Sequence, residues 1–326
     1  MNPTRRQCLR WATGLLGAGL GATALARAPL VWRQRALLGF GTTLWLKAGH
    51  DNADLLESAL DAAVAAIRDV EWQMSLFDGH SALSRLNARA QLRNPDPALV
   101  SVLQAARKVS EASAGAFDVS MQPLWQLWSA ASEQGATPSP QSLAKAIALV
   151  NWRAMEISPT MLRLNQPGMQ LSLNGIAQGF AADRVKAVLQ SRGIRHAQID
   201  TGETALLGNA PGGQAWTLGI ENAAGRSVGT PPLLTADGRA IATSSDAHTS
   251  FSADHRHHHI MDPRTGYSPT HWSSVTVLAP SCTLADALTK VFFMQPPEKV
   301  RPLAQRWKVD VVLQEKSGRW VSTLEG

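Results

Sequence analysis

The sequence predicts an α+β fold: one continuous domain with a largely antiparallel sheet and packed helices. Three observations predict it. Strand-like and helical periodicities are interspersed along the chain rather than alternating in strict βαβ units. Several strand-like runs are joined by connections too short for a crossover helix. No internal repeat or low-complexity linker divides the chain, which has 326 residues, 44% hydrophobic and 17% charged, an ordinary globular composition.

Residues 1–26 stand apart from that domain. Arg5-Arg6 precede a modestly apolar run from Trp11 to Leu25, and small-x-small sites follow at Ala24-Leu25-Ala26 and Ala26-Arg27-Ala28. This is the anatomy of an export leader of the twin-arginine type, with cleavage after Ala26. The apolar stretch is too short and glycine-rich to suit the alternative, a membrane anchor. The expected product is a periplasmic domain over 27–326. The leader takes three arginines and no acid with it, so the mature chain keeps +3 of the formal +6. That mild basicity is spread along the sequence and excludes no small ligand, but it gives no support to nucleic-acid binding. Cys282 is then the lone cysteine, which rules out an internal disulfide and reads as a small buried side chain.

The elements follow in order. Residues 36–48 (ALLGFGTTLWLKA) read as one strand, partly alternating and rich in aromatic and β-branched residues. Asp51-Asn52 cap a long amphipathic helix reaching about Met74, with Leu55, Leu56, Ala59, Ala63, Val64, Ile67 and Val70 at helical spacing. A short helix enters at Ser81, and another covers 99–114 until Gly115 stops it. A polar loop near 133–141 leads to a helix at about 141–149, a hairpin over 155–164 and a buried strand at 169–173. A helix spans 176–192. Strands are expected at 196–200, 215–220, 233–243 and 273–278, then a helix at 284–294 and closing strands at 309–313 and 320–323.

Four stretches carry candidate chemistry. In LSLNGIAQGFAADRV (171–185), Gly175 and Gly179 let backbone approach something closely, and a helix starts at once. Tight strand–helix packing accounts for this, and so does a phosphate resting on the helix N–H groups. In HHHIMDPRTGYSP (257–269), three adjacent histidines point to different faces and cannot jointly clasp one ion. Two read as surface residues, and His259 beside Ile260 reads as a pocket-facing general base. Asp262 fits an Asx turn. In CTLADALTKVFFM (282–294), Asp286 on an apolar helix must be neutral, metal-bound or paired, with Lys290 one turn on as the partner. In GAFDVSMQPLW (115–125), Asp118 reads equally as a ligand contact and as a helix cap.

The order of these stretches resembles one family. MSLFDGHSALSRLN, GAFDVSMQPLW, LSLNGIAQGFAADRV, the turn Asp200-Thr201-Gly202-Glu203, AIATSS, HHHIMDPRTG and SVTVLAPSCTLADAL occur in sequence across the mature chain and resemble the ApbE family. The resemblance implies a tunnelling-fold-related α+β domain that is a FAD:protein FMN transferase. It implies FAD as substrate, Mg²⁺ as cofactor, and transfer of FMN to a Thr or Ser hydroxyl of an acceptor flavoprotein with release of AMP. By the same resemblance, Met74, Phe117, Asp118, Val119, Asn174 and Ile260 would contact the nucleotide. The Ala177 carbonyl and Asp286 carboxylate would hold the metal, with Thr289 and the Lys290 position completing that set.

The leader and the LNGIAQG form are similar to the NosX-like branch tied to nitrous oxide reductase maturation. The acceptor would then be a periplasmic or inner-membrane maturation protein such as NosR. Two other readings stand beside transfer: a Mg²⁺-dependent FAD pyrophosphatase and a non-catalytic flavin-delivery protein. The chain departs from the family pattern in three places. Asn174-Gly175 replaces Gly-Gly, Gln178 replaces the Lys after the metal-binding Ala, and Lys290 replaces the hydroxyl residue four positions after Asp286.

Overall fold

The structure is a computed structural model and describes residues 29–223, 228–230, 232–247, 249–252 and 254–324; the leader at 1–26 lies outside the described residues. Strands β1 (Val31–Gly39) and β2 (Thr42–His50) form an antiparallel hairpin with Gly39 opposite Thr42 and Val31 opposite His50. The single strand expected at 36–48 is therefore two. Phe40 (φ 51°) and Gly41 (φ 78°) make a two-residue turn with both φ positive, which matches the strand twist. Phe-Gly lacks the Asn or Asp that usually marks such a turn.

Helix α1 (Ala53–Met74) opens at Asn52, whose side chain accepts the Leu55 N–H at 2.9 Å. Helix α2 (Ala82–Arg89), strand β3 (Gln91–Arg93) and helix α3 (Pro97–Ala112) follow. Helix α4 (Gln122–Glu133) adds to the expected elements, burying Leu124 and Trp128. Helix α5 (Pro140–Ile147) leads to the expected hairpin, β4 (Met155–Ile157) and β5 (Met161–Leu164), with β3 as its third strand.

The run at 169–173 is not a ladder strand. It makes a single bridge, Met121 to Gln170, while the Asn87 side chain donates to the Leu171 carbonyl at 2.8 Å and accepts its N–H at 2.7 Å. A side chain thus does for Leu171 what a neighbouring strand would do.

Helix α6 (Ala177–Ser191) precedes β6 (His196–Asp200) and β7 (Thr204–Leu207). The strand expected over 233–243 divides at Asp237-Gly238. Its first part, β9 (Leu233–Thr235), pairs with β8 (Thr217–Gly219), and its second, β10 (Ala240–Ser245), joins the main sheet. The chain closes with β11 (Trp272–Ala279), α7 (Cys282–Phe293), α8 (Pro297–Trp307), β12 (Asp310–Glu315) and β13 (Trp320–Ser322). Helix α8 adds to the expected elements, its two prolines having hidden it: Pro297 sits harmlessly in the first turn, but Pro302 lies inside.

Among the described residues the main sheet has eight strands, in the order β1-β2-β6-β7-β10-β11-β12-β13, with every pair antiparallel. Helices α1 and α6 cover one half, setting Leu56, Leu60, Ile67, Val185 and Leu189 in a core with Leu44, Leu46 and Ile199. Helix α7 covers the other, with Leu288, Val291 and Phe292 in a core with Val275, Val277 and Val311, and α3 packs against α7. The two halves are stitched where α6 meets α7. There the Asp183 carboxylate accepts the N–H groups of Cys282 (2.9 Å) and Thr283 (2.8 Å). This seam sets the turn before α6 beside Lys290 on α7.

Candidate active site

A cleft of about 560 Å³ opens at that seam. Its walls come from the β1–β2 turn, the Phe117–Val119 segment, the Asn174-Gly175 turn, the β6–β7 turn, the end of β10, the histidine loop and Lys290. Of the residues expected at a site, Phe117, Asp118, Val119, Asn174, His259, Ile260 and Lys290 line it together. Met74, Ala177, Asp286 and Thr289 are buried and not on its walls. Met74 is the last residue of α1 and points into the core with Val70.

The three histidines part company, as their alternation requires. His257 is half-buried and stacks on Trp128, ring centroids 4.6 Å apart. His258 is fully buried, its Nε2 bonded to the Pro269 carbonyl at 3.1 Å and its Nδ1 accepting the Ile260 N–H at 3.3 Å. Burial lowers its pKa from 6.5 to about 4. The expectation that two histidines are surface residues is therefore corrected: both help to pack the loop. His259 alone lines the cleft. Its Nδ1 lies 3.0 Å from the Thr249 carbonyl. A carbonyl only accepts, so the neutral ring carries its hydrogen on Nδ1 and its lone pair on Nε2.

Asp118 does not cap the helix that follows it, since α4 opens at Met121 with no side-chain cap. It borders the cleft, and its carboxylate accepts from the Ser120 N–H (2.8 Å), the Ser120 hydroxyl (2.6 Å) and the Trp152 N–H (3.0 Å). Burial nonetheless raises its pKa. Asp262 makes the expected Asx turn, accepting the Arg264 N–H at 2.9 Å. Cys282 is buried, as expected, and burial pushes its thiol pKa well up.

The turn before α6 is closed in part from within the protein. The Ile176 and Ala177 N–H groups donate to the Leu173 carbonyl at 3.0 and 2.8 Å, and the Gly179 N–H donates to Asp286 Oδ2 at 3.0 Å. These donors of the first turn are occupied from within the protein. Gly179 serves close packing: a Cβ there would lie 2.7 Å from the Cys282 carbonyl carbon and 2.8 Å from the Asp286 Cβ. Gln178 does face the cleft, lying over Gly202, and its carbonyl accepts the Thr201 hydroxyl at 2.7 Å.

The Asp286 carboxylate is fully buried and fully engaged. Besides Gly179 on Oδ2, Lys290 Nζ lies 2.5 Å from Oδ1 and 3.2 Å from the Asp286 carbonyl. Thr289 donates to the Asp286 carbonyl at 2.6 Å and pairs with Ser244 at 2.7 Å. Magnesium asks for about six oxygen ligands in near-octahedral array. Here an ammonium holds the position on the carboxylate that such an ion would need, and the neighbouring hydroxyl is occupied. The residues present do not fit a divalent cation at Asp286.

Sequence reasoning missed several cleft residues. Phe40, Gly41 and Thr42 belong to a turn hidden inside a supposed strand. Glu203 is the more consequential: it lines the cleft, is buried, and accepts the Thr243 N–H at 2.9 Å. Burial first, and the Asp286 carboxylate second, raise its pKa well above the usual range. An acid leading directly into the apolar run Thr204–Leu207 was the available signal.

The chain has known counterparts. Residues 40–313 match the family model described as ApbE family. A FAD:protein FMN transferase of Treponema pallidum (strain Nichols) is 30% identical over 322 residues, covering 90% of this chain and 88% of that protein. One from Vibrio cholerae is 29% identical, with 84% of each covered. Among solved structures, an ApbE protein from Thermotoga maritima shares the fold at a TM-score of 0.80 and 22% identity, covering 89% of this chain and 96% of that one. The flavin transferase ApbE from Vibrio cholerae aligns at a TM-score of 0.76 and 25% identity, with 90% and 97% covered.

Proposed function

The chain belongs to the ApbE family, and from that premise we propose that it is a FAD:protein FMN transferase working in the cleft at the α6–α7 seam. The observation that carries the reading is the convergence of His259, the Asn174-Gly175 turn and Lys290 on one cavity. Phe117, Val119 and Ile260 supply apolar surface suited to a flat aromatic ring. His259 supplies a base, and Lys290 a cation for phosphate oxygens.

In the proposed step, a Thr or Ser hydroxyl of the acceptor gives its proton to His259 Nε2. Its oxygen forms a bond to the phosphorus on the FMN side of FAD. The bond from that phosphorus to the bridging oxygen breaks, and AMP leaves with the bridging oxygen and its electron pair. Catalysis of this kind is mostly positioning plus charge stabilisation. The acceptor is proposed to be a periplasmic or membrane-attached flavoprotein, with NosR as the first to test because of the leader and the LNGIAQG form. Export follows from Arg5-Arg6; replacing both with lysine should retain the protein in the cytoplasm, detected by fractionation.

The deciding experiment incubates the mature protein with FAD and the flavin-carrying domain of NosR. Covalent fluorescence on that domain is the expected result. FMN released without attachment would replace transfer by FAD hydrolysis, and intact FAD on the protein would make it a carrier.

A further inference from the structure

Lys290 occupies a position in the cleft that no other residue duplicates. Among the described residues, it is the one lysine or arginine on the cleft walls. Its ammonium has three donors. One reaches the Asp286 carboxylate and one the Asp286 carbonyl. The side chain is 20% exposed, so the third is placed to meet a ligand. The Asp286 carboxylate itself is only 1% exposed. An incoming anion meets the ammonium, and the carboxylate behind it holds that ammonium in place.

The surroundings are shaped for the lysine stem. A Cβ on Gly175 would lie 3.1 Å from Lys290 Cε and 3.4 Å from the Phe117 ring, so the glycine turn leaves room for the stem against the nucleotide-facing wall. Nor is the lysine easily displaced. Moving it would leave Asp286 as an uncompensated buried charge, which is strongly unfavourable when such a pair is broken from one side. A metal ion would have to evict the ammonium first. With the Ile176, Ala177 and Gly179 amides already occupied, no other lysine or arginine among the described residues stands on the walls to offset phosphate charge.

We infer that Lys290 is a built-in cation: its Nζ contacts the pyrophosphate of the bound dinucleotide directly, and binding needs no divalent metal ion. The inference rests on the flavin reading above and deepens it. It also explains the double departure of this chain from the family pattern. The lysine missing at Gln178 reappears at 290, on the adjoining helix, across the same glycine turn.

The test is a fluorescence titration of FAD into the purified mature protein, once with EDTA and once with MgCl₂, alongside Mn²⁺ spin-resonance titrations of the protein–FAD complex. The parent protein should bind FAD with Kd values within about twofold of each other in the two media, and Mn²⁺ should stay free. Lys290→Met keeps a comparable apolar stem without the charge and should weaken FAD binding in EDTA about tenfold or more, equivalent to about 1.4 kcal/mol. Lys290→Arg should retain most of the affinity. The inference is overturned if Mg²⁺ tightens parental binding about tenfold, if Mn²⁺ is immobilised on the complex, or if Lys290→Met binds FAD in EDTA as the parent does. The first two outcomes need no variant, so misfolding of Lys290→Met cannot mask them. Failure of the parent to bind FAD in either medium is a separate result: it removes the flavin reading itself, and this inference with it.

Discussion

Replacing Gly179 with alanine puts two opposing effects in competition at the α6–α7 seam. Gly179 lies inside α6, where alanine is the better helix former by about 1 kcal/mol. On propensity alone the variant would be more stable. The added Cβ, however, would lie 2.7 Å from the Cys282 carbonyl carbon and 2.8 Å from Asp286 Cβ. Carbon atoms settle at about 3.5–4.0 Å, so the helices must part by about 1 Å. The obstacle is backbone, which has no rotamer to escape into, so the penalty falls at the upper end of the overpacking range, about 3 kcal/mol. Parting the helices also stretches the hydrogen bond from the Gly179 N–H to Asp286, worth about 1 kcal/mol or more because the acceptor is charged.

Sterics win, with a net loss of about 3 kcal/mol. In a chain of this size that corresponds to a midpoint lower by about 5 °C. Thermal and urea denaturation followed by circular dichroism measure it. A variant melting at or above the parental temperature would show that the two helices do not approach as closely as described. Gly175→Ala is the internal control. Its Cβ meets the flexible end of Lys290 rather than backbone, so it should leave the melting temperature nearly unchanged and weaken FAD binding.

His259→Gln should lower the transfer rate by about 10²–10⁴-fold with FAD affinity nearly unchanged, as loss of a general base does; a parental rate would remove His259 from the chemistry. His258 governs stability against pH instead. Its folded pKa of about 4 lies below the unfolded 6.5, so above pH 6.5 the ring is neutral in both states and exerts no penalty. As pH falls from 6.5 towards 4, the unfolded chain takes up a proton that the folded chain refuses. Stability should drop by about 2 kcal/mol between pH 7 and pH 5, a slope that His258→Gln should flatten in urea titrations. Asp118→Ala removes the acceptor for three buried donors on Ser120 and Trp152 and should destabilise the protein by about 2–3 kcal/mol. An unchanged urea midpoint would show those donors find other partners.

What was legible in the sequence was whatever a short segment decides by itself. The long amphipathic helix, its Asn52 cap, the Asx turn at Asp262 and the choice of His259 among three histidines are all local matters of periodicity and turn chemistry. The failures came from two sources. Atypical punctuation hid the Phe40-Gly41 turn and, through Pro302, helix α8. The rest needed distant residues. Asn87 replaces a strand beside Leu171, Glu203 borders the cleft near the Asp286–Lys290 pair, and Asp286 closes the first turn of α6 through Gly179. The sequence did flag Lys290 as out of pattern. Only the fold shows that its stem runs against Gly175 and that its ammonium, not the carboxylate, faces the cleft.

The most direct measurement of the central claim is the stoichiometry of transfer, read as AMP released per FMN attached to the acceptor domain, by chromatography and intact-mass spectrometry. One AMP should appear for each FMN attached, at a rate that collapses in His259→Gln. AMP and FMN accumulating free in solution, with the acceptor unlabelled, would contradict it.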